Sequence, residues 1–142
     1  MKIKPIISDS LSTKHTSFEV DFHFDYNITF ICGDSGTGKS AVFSFLKELS
    51  AVDKRIVCLN YTDYNRNYKN SIRRYKGKII IIDNADILLD DKIRSYIAFD
   101  GNNQYLIIGR NPTGLMLSAD ETYELSSEHY DGVIRFTLKK YI

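Results

Sequence analysis

The chain has 142 residues, 43% of them hydrophobic and 26% charged, with a net charge of +1. That length suits one domain around a single core, and the charge balance neither announces nor excludes a nucleic-acid partner. No stretch nears the ~18 uninterrupted apolar residues of a membrane span, and Met1-Lys2-Ile3-Lys4-Pro5 is too broken for a signal peptide.

In chain order, the first dozen residues are polar and serine-rich, which predicts a loosely ordered arm. Phe18, Val20, Phe22 and Phe24 then alternate with Glu19, Asp21, His23 and Asp25, the pattern of a half-buried strand. Tyr26-Asn27 predicts a tight turn that returns the chain antiparallel into the apolar run Ile28-Thr29-Phe30-Ile31-Cys32. Gly33-Asp34-Ser35-Gly36-Thr37-Gly38-Lys39-Ser40 follows, spelling G-x-x-x-x-G-K-S. Glycines let backbone N–H groups curl around a phosphate, and the positive end of a following helix adds to the attraction. In this pattern the lysine reaches the β- and γ-phosphates and the serine hydroxyl holds Mg²⁺. A helix is expected next, because Ala41, Val42, Phe45, Leu46 and Leu49 form an amphipathic stripe.

Residues 55–60 read as a short strand and residues 61–76 as near-helical, with Tyr61, Tyr64, Tyr68, Ile72 and Tyr75 spaced as one helix face. Residues 54–78 carry Lys54, Arg55, Arg66, Lys69, Arg73, Arg74, Lys76 and Lys78 against one acid, Asp63. Basic residues interleaved with tyrosines also suit nucleic acid. The tyrosine spacing favours instead a face packed on the sheet, with the charges solvated. Ile79-Ile80-Ile81-Ile82 is a β-branched run of the kind buried on both faces, and it ends in Asp83. Residues 90–99 read as a helix, 104–109 as a buried strand and 121–125 as another. The tail, 133–138, alternates Ile134, Phe136 and Leu138 against Arg135 and Thr137, which predicts an antiparallel edge strand. Leu115-Met116-Leu117, in a short connection, reads as a core plug, with an exposed docking patch as the alternative. Cys32 and Cys58 fall in apolar runs without metal-ligand spacing, and the three histidines match no triad, so a reducing, cytoplasmic setting is expected.

Strands interleaved with helices predict βαβ units. A carboxylate emerging from a buried strand about forty residues after the glycine loop can help hold the metal of a bound nucleotide. With both segments in view, the chain resembles P-loop ATPases of the additional-strand, catalytic-glutamate division, AAA+-type modules especially, over residues 27–125. The resemblance implies an α/β fold whose mainly parallel P-loop sheet, in the order 5-1-4-3-2, is flanked by helices. Antiparallel edge strands are expected at the N- and C-terminal ends. It implies ATP held by Gly33, Gly36, Gly38, Lys39 and Ser40, with the adjoining Asp34, Ser35, Thr37 and Ala41 backbone, and Mg²⁺ held by Ser40 and Asp83. Arg110 or Asn111, after the 104–109 strand, stands where such ATPases carry a sensor of the γ-phosphate.

Two departures bear on turnover. These families carry glutamate directly after the Walker B aspartate, and Asn84 stands there; an amide cannot accept the proton of an attacking water. Asp86 can replace it as base if the backbone turns back, or can simply cap a helix. Only about seventeen residues follow Leu125, so no helical lid is expected, and a protein partner or self-association would complete the site. The sequence reading is therefore an ATP-binding protein with slow or partner-activated hydrolysis, or else a nucleotide-dependent module for protein or nucleic acid without meaningful turnover.

Overall fold

The computed structural model describes residues 3–32 and 38–141. Eight strands form one sheet: β1 (Ser10–Lys14), β2 (Phe18–His23), β3 (Ile28–Ile31), β4 (Ile56–Leu59), β5 (Ile79–Ile82), β6 (Gln104–Ile108), β7 (Thr122–Tyr130) and β8 (Val133–Lys140). Four short helices accompany them: α1 (Lys39–Ser50), α2 (Tyr68–Arg74), α3 (Ala85–Leu88) and α4 (Asp91–Phe99). The strand order is β1-β2-β8-β7-β3-β6-β5-β4.

This corrects the expected fold class. The sheet is not a mainly parallel P-loop sheet in the order 5-1-4-3-2; it is eight-stranded, mixed and curled into a half-barrel. Its longest ladder, β7 with β8, is antiparallel from Tyr123↔Lys140 to Tyr130↔Val133, and β1 pairs antiparallel with β2. The tail is no edge strand, because β8 lies inside the sheet, bonded to β7 on one side and running parallel to β2 on the other. Nor do β2 and β3 form a hairpin. The N-terminal arm intervenes: the Asn27 N–H donates to Ile3 O, its side-chain oxygen accepts from Ile6 N–H at 3.0 Å, and Phe24 N–H donates to Asp9 O. The arm expected to be loose thus supplies β1 and bonds that block the predicted turn.

The four consecutive isoleucines of β5 are completely buried because helices cover both faces. Successive side chains alternate: Ile79 and Ile81 join Val42, Phe43 and Leu46 of α1 on one face, while Ile80 and Ile82 meet Ile72 of α2 and Ile93 and Ile97 of α4 on the other. Each such side chain contributes roughly 1.5–3 kcal/mol by leaving water.

Three amides bind the arm and the amino ends of the strands. Gln104 accepts from the N–H groups of Ile7 and Ser8 and donates to Ser8 O. Asn27 donates to Asn103 O at 2.8 Å, and Asn103 bridges Lys78 N–H, Tyr75 O and Asp100. Gln104→Ala strips three bonds from buried or half-buried groups and is expected to cost about 1–3 kcal/mol. Urea denaturation checks this, and a loss below ~0.5 kcal/mol, the range of a bland surface change, contradicts it.

Candidate functional site

Strands β7, β3, β6, β5 and β4 run in one direction, so the residues leaving their carboxyl ends share one rim. Hydrogen bonds carry the alignment past the strand ends: Gly109 N–H donates to Ile31 O at 3.1 Å, Cys32 N–H to Tyr123 O at 2.8 Å, and Asp83 N–H to Leu59 O at 2.9 Å. The amino end of α1 lies near this rim: the charge of Lys39, its first residue, acts on Cys32 after β3 and on Asp83 after β5.

Of the residues expected to cradle phosphate, Gly33, Asp34, Ser35, Gly36 and Thr37 lie outside the described residues. Gly38, Lys39, Ser40 and Ala41 are described. Gly38 precedes α1 with φ +96°, and a Cβ there would fall 2.7 Å from Phe136 Cε1 on β8. Both the backbone conformation and the close strand demand glycine. The first turn of α1 carries no acidic residue and no side-chain cap, so its positive end is not offset from within the helix. Ser40 is exposed in that turn, and Ala41 is half-buried beside it.

Lys39 is half-buried, and its charge acts on two neighbours. The first is the Cys32 thiol, which burial pushes above its ordinary value while Lys39 pulls it back and the Glu124 charge opposes that pull. The second is Asp83. Burial raises the Asp83 carboxyl above its ordinary range, against a bond from Asn84 N–H at 2.8 Å and the attraction of Lys39. A carboxylate held out of water in this way gains from a nearby cation. The Ser40 hydroxyl, in the first turn of α1, and the Asp83 carboxylate are both oxygen donors, the ligand type that Mg²⁺ takes. Among the described residues no three His, Cys, Asp or Glu side chains gather as a metal cluster.

Asn84 has φ +55°, a left-handed conformation that asparagine tolerates. Its side-chain oxygen accepts from Tyr61 N–H at 3.2 Å, while its carbonyl receives the N–H groups of Ile87 and Leu88 and so starts α3. The amide is therefore used to tie β5 to the 3₁₀ turn Tyr61–Asp63 after β4. Asp86, in the first turn of α3, accepts from Arg110 N–H at 2.9 Å and Asn111 N–H at 3.1 Å. The structure thus joins Asp86 to both expected sensor residues through their backbone. The Arg110 side chain is exposed, and the Asn111 side-chain oxygen is taken by Thr113 N–H and its hydroxyl.

Arg94 is the residue that sequence reasoning missed. Only 6% exposed, it donates to Leu89 O at 3.0 Å, Asn111 O at 2.6 Å and Thr113 O at 2.8 Å, with Asp86 3.7 Å from its guanidinium. It staples α4 to the end of α3 and to the loop after β6. Its signal was faint: Arg94 sits directly after Ile93 and three before Ile97, inside the buried stripe of α4. Gly109 completes the junction, since a Cβ there would lie 3.0 Å from Ala85 Cβ and 3.2 Å from Phe30 Cζ.

Comparison with protein-family models, with curated proteins and with solved structures finds no match to this chain.

Two substitutions test this geometry. Because burial raises the Asp83 carboxyl, the folded chain holds that proton more tightly than the unfolded one, and the linked stability is lost as pH rises through the folded value. Asp83→Asn is therefore expected to exceed wild type in urea midpoint at pH 7, the advantage shrinking below about pH 4; an equal or lower midpoint at pH 7 contradicts it. Arg94→Leu leaves three carbonyls without a donor and is expected to lose ~3 kcal/mol or more, again by urea denaturation. A change below about 1 kcal/mol would show that the staple carries little.

Proposed function

We propose that the protein binds a nucleoside triphosphate, ATP, with Mg²⁺ at the carboxyl rim of its sheet, and that hydrolysis there is slow or depends on a partner. The observation that carries this reading is that the charge of Lys39, the first residue of α1, acts on Asp83 at the carboxyl end of β5. A cation, an acid-free helix N-terminus and a desolvated carboxylate occupy one edge, after a glycine-rich loop of the G-x-x-x-x-G-K-S form. In this reading the backbone of residues 33–41 and Lys39 hold the phosphates, and Ser40 and Asp83 hold the metal. Arg110 and Asn111 lie on the loop that responds to the terminal phosphate, and Asp86 sets that loop's position.

A second reading, a nucleotide-dependent interaction module with no meaningful turnover, gains from the same bonds. Both oxygens of Asp86 accept backbone N–H groups and the Asn84 amide accepts from Tyr61 N–H, which leaves each already engaged. Asp86 acting as a base, or Asn84 positioning the water, must give up a structural bond to act. Both cysteines are free thiols, which suits a reducing compartment such as the cytoplasm. No helix among the described residues is long and apolar enough to cross a membrane.

Equilibrium binding and single-turnover hydrolysis of Mg²⁺-ATP separate the readings. Lys39→Ala is expected to weaken ATP binding about 10- to 100-fold, the worth of one charge-assisted contact. Turnover in wild type above the Lys39→Ala background supports the enzyme, and its absence with binding intact supports the module. Absence of nucleotide binding in wild type defeats both.

A further inference from the structure

The basic segment, residues 54–78, takes a form that its tyrosine spacing did not suggest. A single helix with its rings packed on the sheet was expected. Instead the segment splits into the 3₁₀ turn Tyr61–Asp63 and α2, and only the second part buries its rings. Tyr68 is buried and donates its hydroxyl to Leu88 O at 2.6 Å, whereas Tyr61 and Tyr64 are 61% and 57% exposed. The spacing that argued for a packed face therefore does not describe these two rings.

Their arrangement is specific. The turn is fixed by a capping box in which the Asn60 side chain accepts from Thr62 N–H while the Asp63 carboxylate accepts from Asn60 N–H. Tyr64 N–H donates to Tyr61 O at 3.1 Å, which closes one 3₁₀ turn between the two tyrosines. Side chains three apart in such a turn eclipse, and one turn rises about 6 Å. Two exposed rings thus stand on the same side, one turn apart. Beside them a cleft of about 300 Å³ is lined by Tyr64, Arg66, Asn67, Tyr68 and Lys69.

The charge around this cleft is lopsided. Eight of the nineteen basic residues and one of the eighteen acids fall between positions 54 and 78. Some are committed: Arg55 pairs with Asp53, Lys69 with Asp90 at 2.5 Å, and Lys78 donates to Lys54 O. Arg66, Arg74 and Lys76 are exposed and make no ion pair among the described residues. The acids nearest the cleft are already engaged, Asp63 in the capping box and Asp90 by Lys69 and the α4 cap.

We infer that the 3₁₀ turn and cleft form a binding surface for single-stranded nucleic acid, with Tyr61 and Tyr64 stacking successive bases and Arg66 meeting a phosphate. Exposed rings give sequence-tolerant stacking, and an exposed cation without an ion pair beside them gives the salt-dependent part of affinity. A duplex hides its base faces and offers such rings nothing to stack on. An acidic protein would use the cations but not the rings. The surface shares no residue with the proposed nucleotide site, and Asn84, through its bond to Tyr61 N–H, is the covalent neighbour of Asp83 that joins the two.

The test is fluorescence anisotropy with labelled oligo-dT and oligo-U of about 12 nucleotides, a duplex of equal length and poly-glutamate, at low salt (about 50 mM) and without ATP. Wild type is expected to bind a single strand more tightly than duplex or poly-glutamate; the ratio of the dT and U affinities tells DNA from RNA. Tyr61→Ala and Tyr64→Ala are each expected to weaken binding about tenfold, Tyr64→Phe to retain it, and Arg66→Ala to lower both affinity and its salt dependence. Lys39→Ala should bind as wild type does, so failure of the nucleotide site and of this surface are separable. All four positions 61, 64, 66 and 39 are checked for an unchanged melting curve. No binding to either strand, tyrosine substitutions without effect, or poly-glutamate bound as tightly as a single strand overturns the inference.

Discussion

The parallel ladder between β3 and β6, Ile28↔Tyr105 through Ile31↔Ile108, is the contact on which the rest of the molecule is hung. It joins segments about eighty residues apart in the chain, and nearly every side chain in it is buried on both faces. Because β6 also pairs with β5, one register fixes where Cys32, Asp83 and Gly109 leave the sheet. A slip of one residue would exchange the faces that α1 and α4 cover and would separate Asp83 from Lys39. The site is thus a consequence of strand register before it is a matter of side chains.

The pieces of that ladder were legible in the sequence, and the whole sheet was not. Runs such as Ile79–Ile82 announce a strand buried on both faces, because nothing else tolerates four adjacent β-branched side chains so well. Alternation in β2 and β8 announces strands with two unlike faces, but period-2 patterning names no partner. The parallel pairing of Val20 with Phe136 spans most of the chain, and no local signal encodes it. The polar N-terminal arm misled for a related reason. Its order comes from Gln104 and Asn27, whose amides bind its backbone, and not from apolar residues of its own.

The site divides in the same way. Lys39, Ser40 and Asp83 could be named from spacing alone, since a glycine loop and a strand-ending carboxylate carry their chemistry in residue type. Arg94 could not be, because its role lies in reaching three carbonyls from a helix that reads as ordinary. Asp86 was ambiguous between base and cap, and the bonds it makes to Arg110 and Asn111 set out a third role, that of bracing their loop. Tyr61 and Tyr64 were assigned to a helix face on spacing that the 3₁₀ turn breaks.

In the proposed reading one rim holds the phosphates and the metal. Backbone amide NMR shifts during titration with Mg²⁺ and a non-hydrolysable ATP analogue would locate the bound nucleotide. Saturable shifts are expected at Gly38, Lys39, Ser40, Asp83, Asn84 and the loop of Gly109, Arg110 and Asn111, and their loss in Lys39→Ala. Shifts that leave this rim unmoved, or that gather instead around Tyr64 and Arg66, would contradict that reading.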